Sequence, residues 1–333
     1  MKRRPVLLTA LAALSLLVAA CGAPGSGGGQ TQPAAADGTG TVCTPVKGDR
    51  LTVLVDDRQL QNSDNVVAAF NQEFATAHPA AIEALNTVAE TLTTTLLIEL
   101  NKAVDIDHKT SSEVAAEFVK DHDLAVSDSS QGAGVTVVVG AANFSENATL
   151  AEIYALVLRS AGYTTSTQTI GNRETYLPAL TSGSIQVVPE YAASLADFLN
   201  AKADGADAEP VSTPDIGETM AALASLATAQ GLTMGKASAA QDQNAFAVTT
   251  AFAEKHGVST LSELAEACGG GVVLAGPPEC PQRPFCQIGL EQTYGLRVSQ
   301  FKPYDFALIT QAVRHGDATV GLVLSSDGSL AAG

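Results

Sequence analysis

The chain has 333 residues, 35 Asp and Glu against 18 Lys and Arg, and a formal net charge of −17. That balance repels the phosphates of nucleic acid and gives no electrostatic help on an anionic membrane, so it excludes a nucleic-acid partner and leaves solubility as its plain meaning. Its length after the first forty-odd residues is enough for two medium domains.

Lys2, Arg3 and Arg4 precede an apolar stretch, residues 5–20, that is too short and Ala-rich for a membrane span. Residues 1–20 therefore read as an export signal. Val18-Ala-Ala-Cys21 has the form of a bacterial lipobox, with small residues before a Cys whose thiol accepts a diacylglycerol. The alternative is a plain signal peptide cut near Ala20. Residues 21–43 are rich in Gly, Pro, Ala and Thr, with too little apolar surface to fold, and read as a flexible tether. The expectation is a protein lipid-anchored through Cys21 on the extracytoplasmic face of the cell membrane.

The elements follow in order. Leu51–Val55 reads as a buried strand. Residues 65–120 read as mostly helical, in the pieces Asn65–Ala77, Pro79–Ala89, Thr93–Val104 and Ser111–Asp121, with Pro79 suited to a first turn. Residues 125–134 form a small polar linker. Val135–Val139 is a strand, Ser145–Ala161 an amphipathic helix closed by Gly162, and Tyr163–Thr169 the next strand. A helix over Glu174–Thr181, Gly183 and a strand over Ile185–Val188 lead into Pro189-Glu190-Tyr191, and helices follow at 191–200 and 215–230. A third section has strands at Ala245–Thr249, Gly271–Ala275, Val298–Tyr304 and Thr319–Leu324, with helices at Leu261–Ala267, Gly289–Tyr294 and Ala307–Arg314.

The helix–Gly–strand pattern of Leu177–Val188 echoes that of Ile309–Val320. Two such βα sections imply two α/β lobes with mainly parallel sheets covered on both faces. Ligands of such sheets lie beyond the carboxyl ends of the strands. Those ends carry Asn143-Phe144-Ser145, Glu190-Tyr191, Tyr304-Asp305 and Ser325-Ser326-Asp327.

Beyond Cys21 there are four cysteines, Cys43, Cys268, Cys280 and Cys286, an even count that suits disulfides in an exported chain. Cys280 and Cys286 enclose a Pro-rich turn and are candidates to staple it, leaving Cys43 with Cys268. Three pairings are open, and so is a zinc site, although no His lies near and C-x5-C is a poor zinc spacing. The five His are scattered, and no nucleophile elbow, phosphate loop or dinucleotide fingerprint is present. Asp56-Asp57 is an adjacent acidic pair whose members point to opposite faces of a strand. The chain does not read as an enzyme, and no cofactor or metal is expected.

Several pieces together resemble the glycine betaine/carnitine/choline-binding proteins of ABC importers. They are Gly140-Ala-Ala-Asn-Phe-Ser-Glu146, Tyr176-Leu-Pro-Ala-Leu-Thr-Ser-Gly183, Pro189-Glu-Tyr-Ala-Ala-Ser194, Gln243-Asn-Ala-Phe-Ala-Val248, Gly276-Pro-Pro-Glu-Cys-Pro-Gln-Arg-Pro-Phe-Cys286, Tyr294-Gly-Leu296 and Ser326-Asp-Gly328. They span most of residues 134–333. Leu51–Asp57, Asn101–Ile106 and Glu113–Phe118 resemble the family's C-terminal end, so the order is that of a circular permutation, with the family's ends joined through residues 122–134. The other reading makes residues 44–125 a separate helical domain.

The resemblance implies a two-lobed fold of the type II periplasmic-binding-protein class, circularly permuted. Residues 50–238 would form the first lobe (50–125 from the family's C-terminal segment, 134–238 from its N-terminal one) and residues 239–333 the second. It implies a monomer that hands a small molecule, a quaternary ammonium osmoprotectant, to an ABC permease and its ATPase. A ligand-sensing or ligand-presenting lipoprotein of the same fold is the alternative.

In this family a methylated cation, which has no N–H to donate, sits in a cage of aromatic rings. Tyr191 matches the family's Tyr after Pro-Glu, and Ser194 a hydroxyl position. Asn143, Phe144 and Ser145 lie at a helix start, where Asn143 and Ser145 suit a helix cap equally well. Arg283 is placed to clamp a carboxylate, and Tyr304 and Asp305 to face the cleft. Asn244 and Asp64 stand where relatives carry cage tyrosines. Asp64 would pair with a cation lacking its own carboxylate or cap a helix starting at Asn65.

Overall fold

The computed structural model describes residues 41–205 and 208–331. The lipobox with Cys21, and the tether up to residue 40, lie outside the described residues. Among the described residues no helix is long and apolar enough to cross a membrane.

The elements in chain order are β1 (Leu51–Leu54), β2 (Asn65–Asn71), α1 (Gln72–Ala77), α2 (Pro79–Thr91), α3 (Thr94–Asp105), α4 (Ser111–Asp121), β3 (Thr136–Ala142) and α5 (Ser145–Ser160). Then come β4 (Thr164–Gly171), α6 (Arg173–Thr181), β5 (Val187–Tyr191), α7 (Ala192–Asp204), α8 (Ile216–Ala229), β6 (Leu232–Gln241) and β7 (Asn244–Thr249). The last are α9 (Thr250–His256), α10 (Leu261–Ala267), β8 (Val272–Gly276), α11 (Gln287–Tyr294), β9 (Val298–Pro303), α12 (Ile309–Arg314) and β10 (Val320–Leu324).

The strands form two five-stranded sheets, ordered β4-β3-β5-β2-β6 and β1-β7-β10-β8-β9. In the first, β3 runs parallel to β4 and β5, while β2 is antiparallel to both β5 and β6. In the second, β8 runs parallel to β9 and β10, while β7 is antiparallel to both β10 and β1. Each sheet is thus parallel except for one strand in the same place.

β2 differs from the helix expected over Asn65–Ala77. All seven of its residues are buried. Val66, Ala68 and Phe70 enter the core under α2–α5, while Val67 and Ala69 enter the core under α6–α8. A strand buried on both faces shows no polar alternation, and its apolar run reads equally as helix. Only Gln72–Ala77 is helical, capped by the Asn71 side chain accepting from the Phe74 N–H at 2.9 Å. β6 has no counterpart among the expected strands, because LTMGKASAAQ lacks the β-branched and aromatic residues that favour strands. Leu51–Leu54 also departs from the expected boundary. β1 pairs with β7 in the second sheet, so the first lobe does not begin at residue 50. At α4 the cap is Thr110 with Glu113 in a capping box.

The chain crosses between the sheets from β1 to β2 and from β6 to β7. The Asp242 N–H donates to the Asp64 carbonyl at 3.1 Å, so the two crossings are bonded to each other. Ser325, just past β10, binds the second crossing on both sides: its N–H donates to the Gln243 carbonyl and its hydroxyl to the Gln241 carbonyl, each at 2.8 Å. Disulfides join Cys43 to Cys268 and Cys280 to Cys286, all four within the core of the second lobe.

Candidate functional site

The site grows from one buried carboxylate. Glu190, on β5, has no exposed surface. Arg173, at the start of α6, grips it with two N–H groups, Nε to Oε1 at 3.0 Å and Nη2 to Oε2 at 2.7 Å. The Tyr176 hydroxyl donates to Oε1 at 2.6 Å and the Tyr191 N–H to Oε2 at 3.1 Å. A buried charge needs this many donors to offset its lost hydration. Arg173 also donates to the carbonyl and hydroxyl of Ser194 at 3.2 and 3.1 Å, and its guanidinium lies 5.7 Å from the Phe198 ring centre. Arg173 is therefore consumed by the framework and is not a free clamp for a ligand carboxylate.

Ser194 lies in the first turn of α7. Its N–H donates to Asp64 Oδ1 at 3.0 Å, so Asp64, across the sheet crossing, supplies the negative charge that a helix N-terminus favours. No helix begins at Asn65, so Asp64 is not a cap of the expected kind. Neither Asn143 nor Ser145 caps α5: its N-cap is Phe144, with no side-chain bond. Asn147 ties α5 down instead, accepting from the Ala142 N–H at 2.8 Å and donating to the Pro189 carbonyl at 2.9 Å.

These elements enclose a cavity of about 370 Å³ lined by Asp64, Asn143, Phe144, Arg173, Tyr176, Tyr191, Ser194 and Asp242, among others. Five of the expected ligand residues, Asp64, Asn143, Phe144, Tyr191 and Ser194, meet in it. The Phe144 and Tyr191 rings stack, with centroids 6.2 Å apart and planes 29° from parallel. A second cavity of about 460 Å³ adjoins it, sharing Phe144 and Asp242 and reaching Ser145, Glu146 and Phe306. Asn244 and Arg283 line a third, of about 400 Å³, with Phe285 and Phe306. Tyr304 and Asp305 line none of these three. Tyr304 packs against the small core of Ala275, Ile309, Val313 and Ala318, and Asp305 is exposed.

Below the rings runs a second buried network. The Tyr191 hydroxyl donates to Glu146 Oε1 at 2.5 Å, and Asn101 Nδ2 donates to Glu146 Oε2 at 2.5 Å and to the Ser326 carbonyl at 2.8 Å. The Ser326 hydroxyl donates to Asp242 Oδ1 at 2.8 Å. Glu146 and Asp242 both titrate above the ordinary carboxylate range because burial disfavours their charge, and for Glu146 the Asp242 carboxylate adds to the rise. Burial pushes Asp64 up from 3.8 to about 6, against the Ser194 bonds that pull it down. Arg173, Glu190, Glu146 and Asp242 were not among the expected site residues. Glu146 looks like an ordinary first-turn acid of a helix, and only the strand-end position of Glu190 beside Tyr191 hinted at a role.

The sequence profile of the family described as the substrate-binding domain of ABC-type glycine betaine transport systems matches residues 30–121 and 135–332. The chain belongs to this family. Its fold is the two-lobed type II periplasmic-binding-protein fold, and its members are solute receptors of importers, not enzymes. A crystal structure of a glycine betaine/carnitine/choline ABC transporter shares 18% identity, over 59% of this chain and 70% of that chain, with a TM-score of 0.45. Apo YehZ from Escherichia coli shares 24% identity and the fold, over 59% of this chain and 72% of that chain, with a TM-score of 0.50. No curated protein matches the chain. In this binding protein Asp56, at the strand end, accepts from the N–H groups of Leu60 and Gln61 and from the Tyr294 hydroxyl, the work of a loop anchor.

Because the folded state holds the Asp64 proton more tightly than the unfolded chain does, this group stabilises the ligand-free protein at low pH. That contribution is lost as pH rises from about 4 through 6. Asp64→Asn keeps an acceptor for Ser194 but cannot ionise. The melting temperature of Asp64→Asn minus that of the wild type is expected to become more positive between pH 4 and pH 7. A difference that stays constant over that interval contradicts the assignment.

Proposed function

We propose that this receptor captures a small quaternary ammonium cation, of the glycine betaine or choline kind, and delivers it as a lipid-anchored monomer to an ABC permease and its ATPase. The observation that carries the ligand class is the stacked Phe144–Tyr191 pair beside Asp64 in one cavity. A methylated cation has no N–H to donate and is held by ring faces and nearby negative charge. With Arg173 already neutralised by Glu190, the cavity favours a cation without a carboxylate of its own, such as choline, over a betaine.

Choline is expected to raise the melting temperature of the ligand-free protein by mass action. Phe144 is 44% exposed, so its removal spares the core. Phe144→Ala is expected to weaken choline binding by about 2- to 30-fold in calorimetry, the range of one cation–π contact. No response to choline or to any betaine from folded, ligand-free protein would falsify the reading.

The lipid anchor rests on the Val18-Ala-Ala-Cys21 motif and the tether after it. Cys21→Ser in the producing cell is expected to move the protein from the membrane fraction to the soluble one. Retention in the membrane would count against lipidation at this residue.

We infer, too, that the family order is rotated in this chain. Two observations support it. The family profile matches in two blocks separated by residues 122–134. That intervening stretch is a packed joint, with the Val126 N–H donating to the Ser160 hydroxyl at 2.8 Å and the Gly132 N–H to the Ala161 carbonyl at 2.9 Å. A rearranged gene that starts at residue 135 and places residues 44–121 after residue 328 is expected to fold with the same circular dichroism spectrum and ligand response. An unfolded product, with several linker lengths tried, would count against the rotation.

A further inference from the structure

The second cavity, next to the Phe144–Tyr191 pair, has a chemistry of its own. Its charged lining residues are Asp105, Glu146, Asp242 and Asp327, and none of its described lining residues is Lys or Arg. Of the cations beside Asn101 and Ser329, Lys102 is held by the Asp107 carboxylate at 2.7 Å, whereas Arg314 donates to the Ser329 carbonyl and keeps a buried Nε without a partner.

A group of acids alone does not make a site, but a second observation points the same way. Asn101 lines this cavity and is only 5% exposed. Its Nδ2 is spent on Glu146 and the Ser326 carbonyl, which fixes the amide orientation, and its Oδ1 is buried with no donor. The Ser329 hydroxyl, also of this cavity, is buried without a partner. Leaving a buried acceptor unmatched costs free energy that a bound donor recovers.

What the wall lacks is a positively charged donor. An amide oxygen only accepts hydrogen bonds, a carboxyl group offers acceptor oxygens, and a primary ammonium brings three N–H groups and the charge that draws a buried carboxyl towards its ionised form. A quaternary ammonium brings none. No group of three or more acidic, His or Cys side chains among the described residues stands close enough to hold a metal ion. The acids are spread over the wall, which suits an ammonium group held by separate hydrogen bonds rather than a coordinated metal ion.

We propose that this acidic cavity is a second cation subsite that binds a primary ammonium group, so that the cleft, besides a quaternary ammonium cation in the first cavity, takes a short aliphatic diamine whose two ends lie on either side of the shared Phe144 and Asp242. The proposal deepens the cation-binding reading above and rests on it for the first subsite only.

The test is calorimetry on the mature protein at fixed pH and ionic strength, with 1,4-diaminobutane, 1,5-diaminopentane, 1-aminobutane and choline as the probes. A diamine is expected to bind at least about tenfold more tightly than 1-aminobutane. Asp105→Asn changes an exposed residue, and Asp327→Asn keeps an acceptor for the Ser329 N–H. Each is expected to weaken the diamine by about two- to fivefold and to leave choline unchanged.

A diamine no tighter than 1-aminobutane overturns the second subsite, and so does a diamine preference that survives both acid variants. Choline binding that depends on Phe144, without any diamine preference, upholds the first cavity and rejects the second. A diamine preference that falls in the acid variants but ignores Phe144→Ala upholds the acidic subsite and rejects the first.

Discussion

The structure around the cleft depends on surrounding the fully buried Glu190 carboxyl group with donors. Its four donors come from three places: the start of α6, the body of α6 and the backbone at the end of β5. Losing Arg173 would leave an uncompensated buried charge, a far larger penalty than the loss of a surface pair. The same guanidinium holds Ser194, and Ser194 holds Asp64. One ion pair thus sets the first turn of α7, the position of Tyr191 and the crossing that carries the chain to the second sheet. The Tyr191 ring that lines the cavity is thus positioned from behind by Glu190, a residue that does not itself line it.

The two sheets share one plan, four parallel strands and one antiparallel strand in the same place. The antiparallel strands, β2 and β7, are the ones that follow the crossings. Asp64 and Asp242 therefore stand where the chain changes sheets, and their backbones are bonded to each other. Their acidity, with that of Glu146, is concentrated at the junction rather than on either lobe. Neutral donors, chiefly the hydroxyls of Tyr191 and Ser326, the backbone N–H of Ser194 and the amide of Asn101, make the contacts to these carboxylates. Hydrogen bonds of this kind hold a carboxylate in place without supplying a counter-charge, and burial favours the neutral form of each of these acids.

Much of this was legible in the sequence, because strand–helix units with glycine caps leave a strong pattern. The echo between Leu177–Val188 and Ile309–Val320 falls on α6–β5 and α12–β10, and β5 and β10 occupy the same position in their two sheets. Gly183 and Gly316 both adopt a φ of 75°, which explains why the echo includes them. β2 and β6 were not legible: one is buried on both faces, and the other is built from weak strand formers. Asn143, Phe144 and Tyr191, singled out because topology puts ligands beyond strand ends, come together in one cavity. Glu146 and Asp242 were not singled out, since a buried acid is marked only by its partners, and Asn101 and Ser326 lie 45 and 84 residues away from them. Tyr304, also at a strand end, is instead half-buried against the small core of Ala275, Ile309, Val313 and Ala318.

The way the N-terminal segment is fastened has a mechanical meaning. Cys43 is bonded to Cys268, its N–H donates to the Gly271 carbonyl at 2.9 Å, and β1 then joins the edge of the second sheet. Any pull arriving along the chain from residue 42 is borne by a covalent link and an edge strand of one lobe before it reaches either crossing. The load path thus ends in the second lobe and bypasses the cleft, leaving the first lobe as the unloaded half of the molecule.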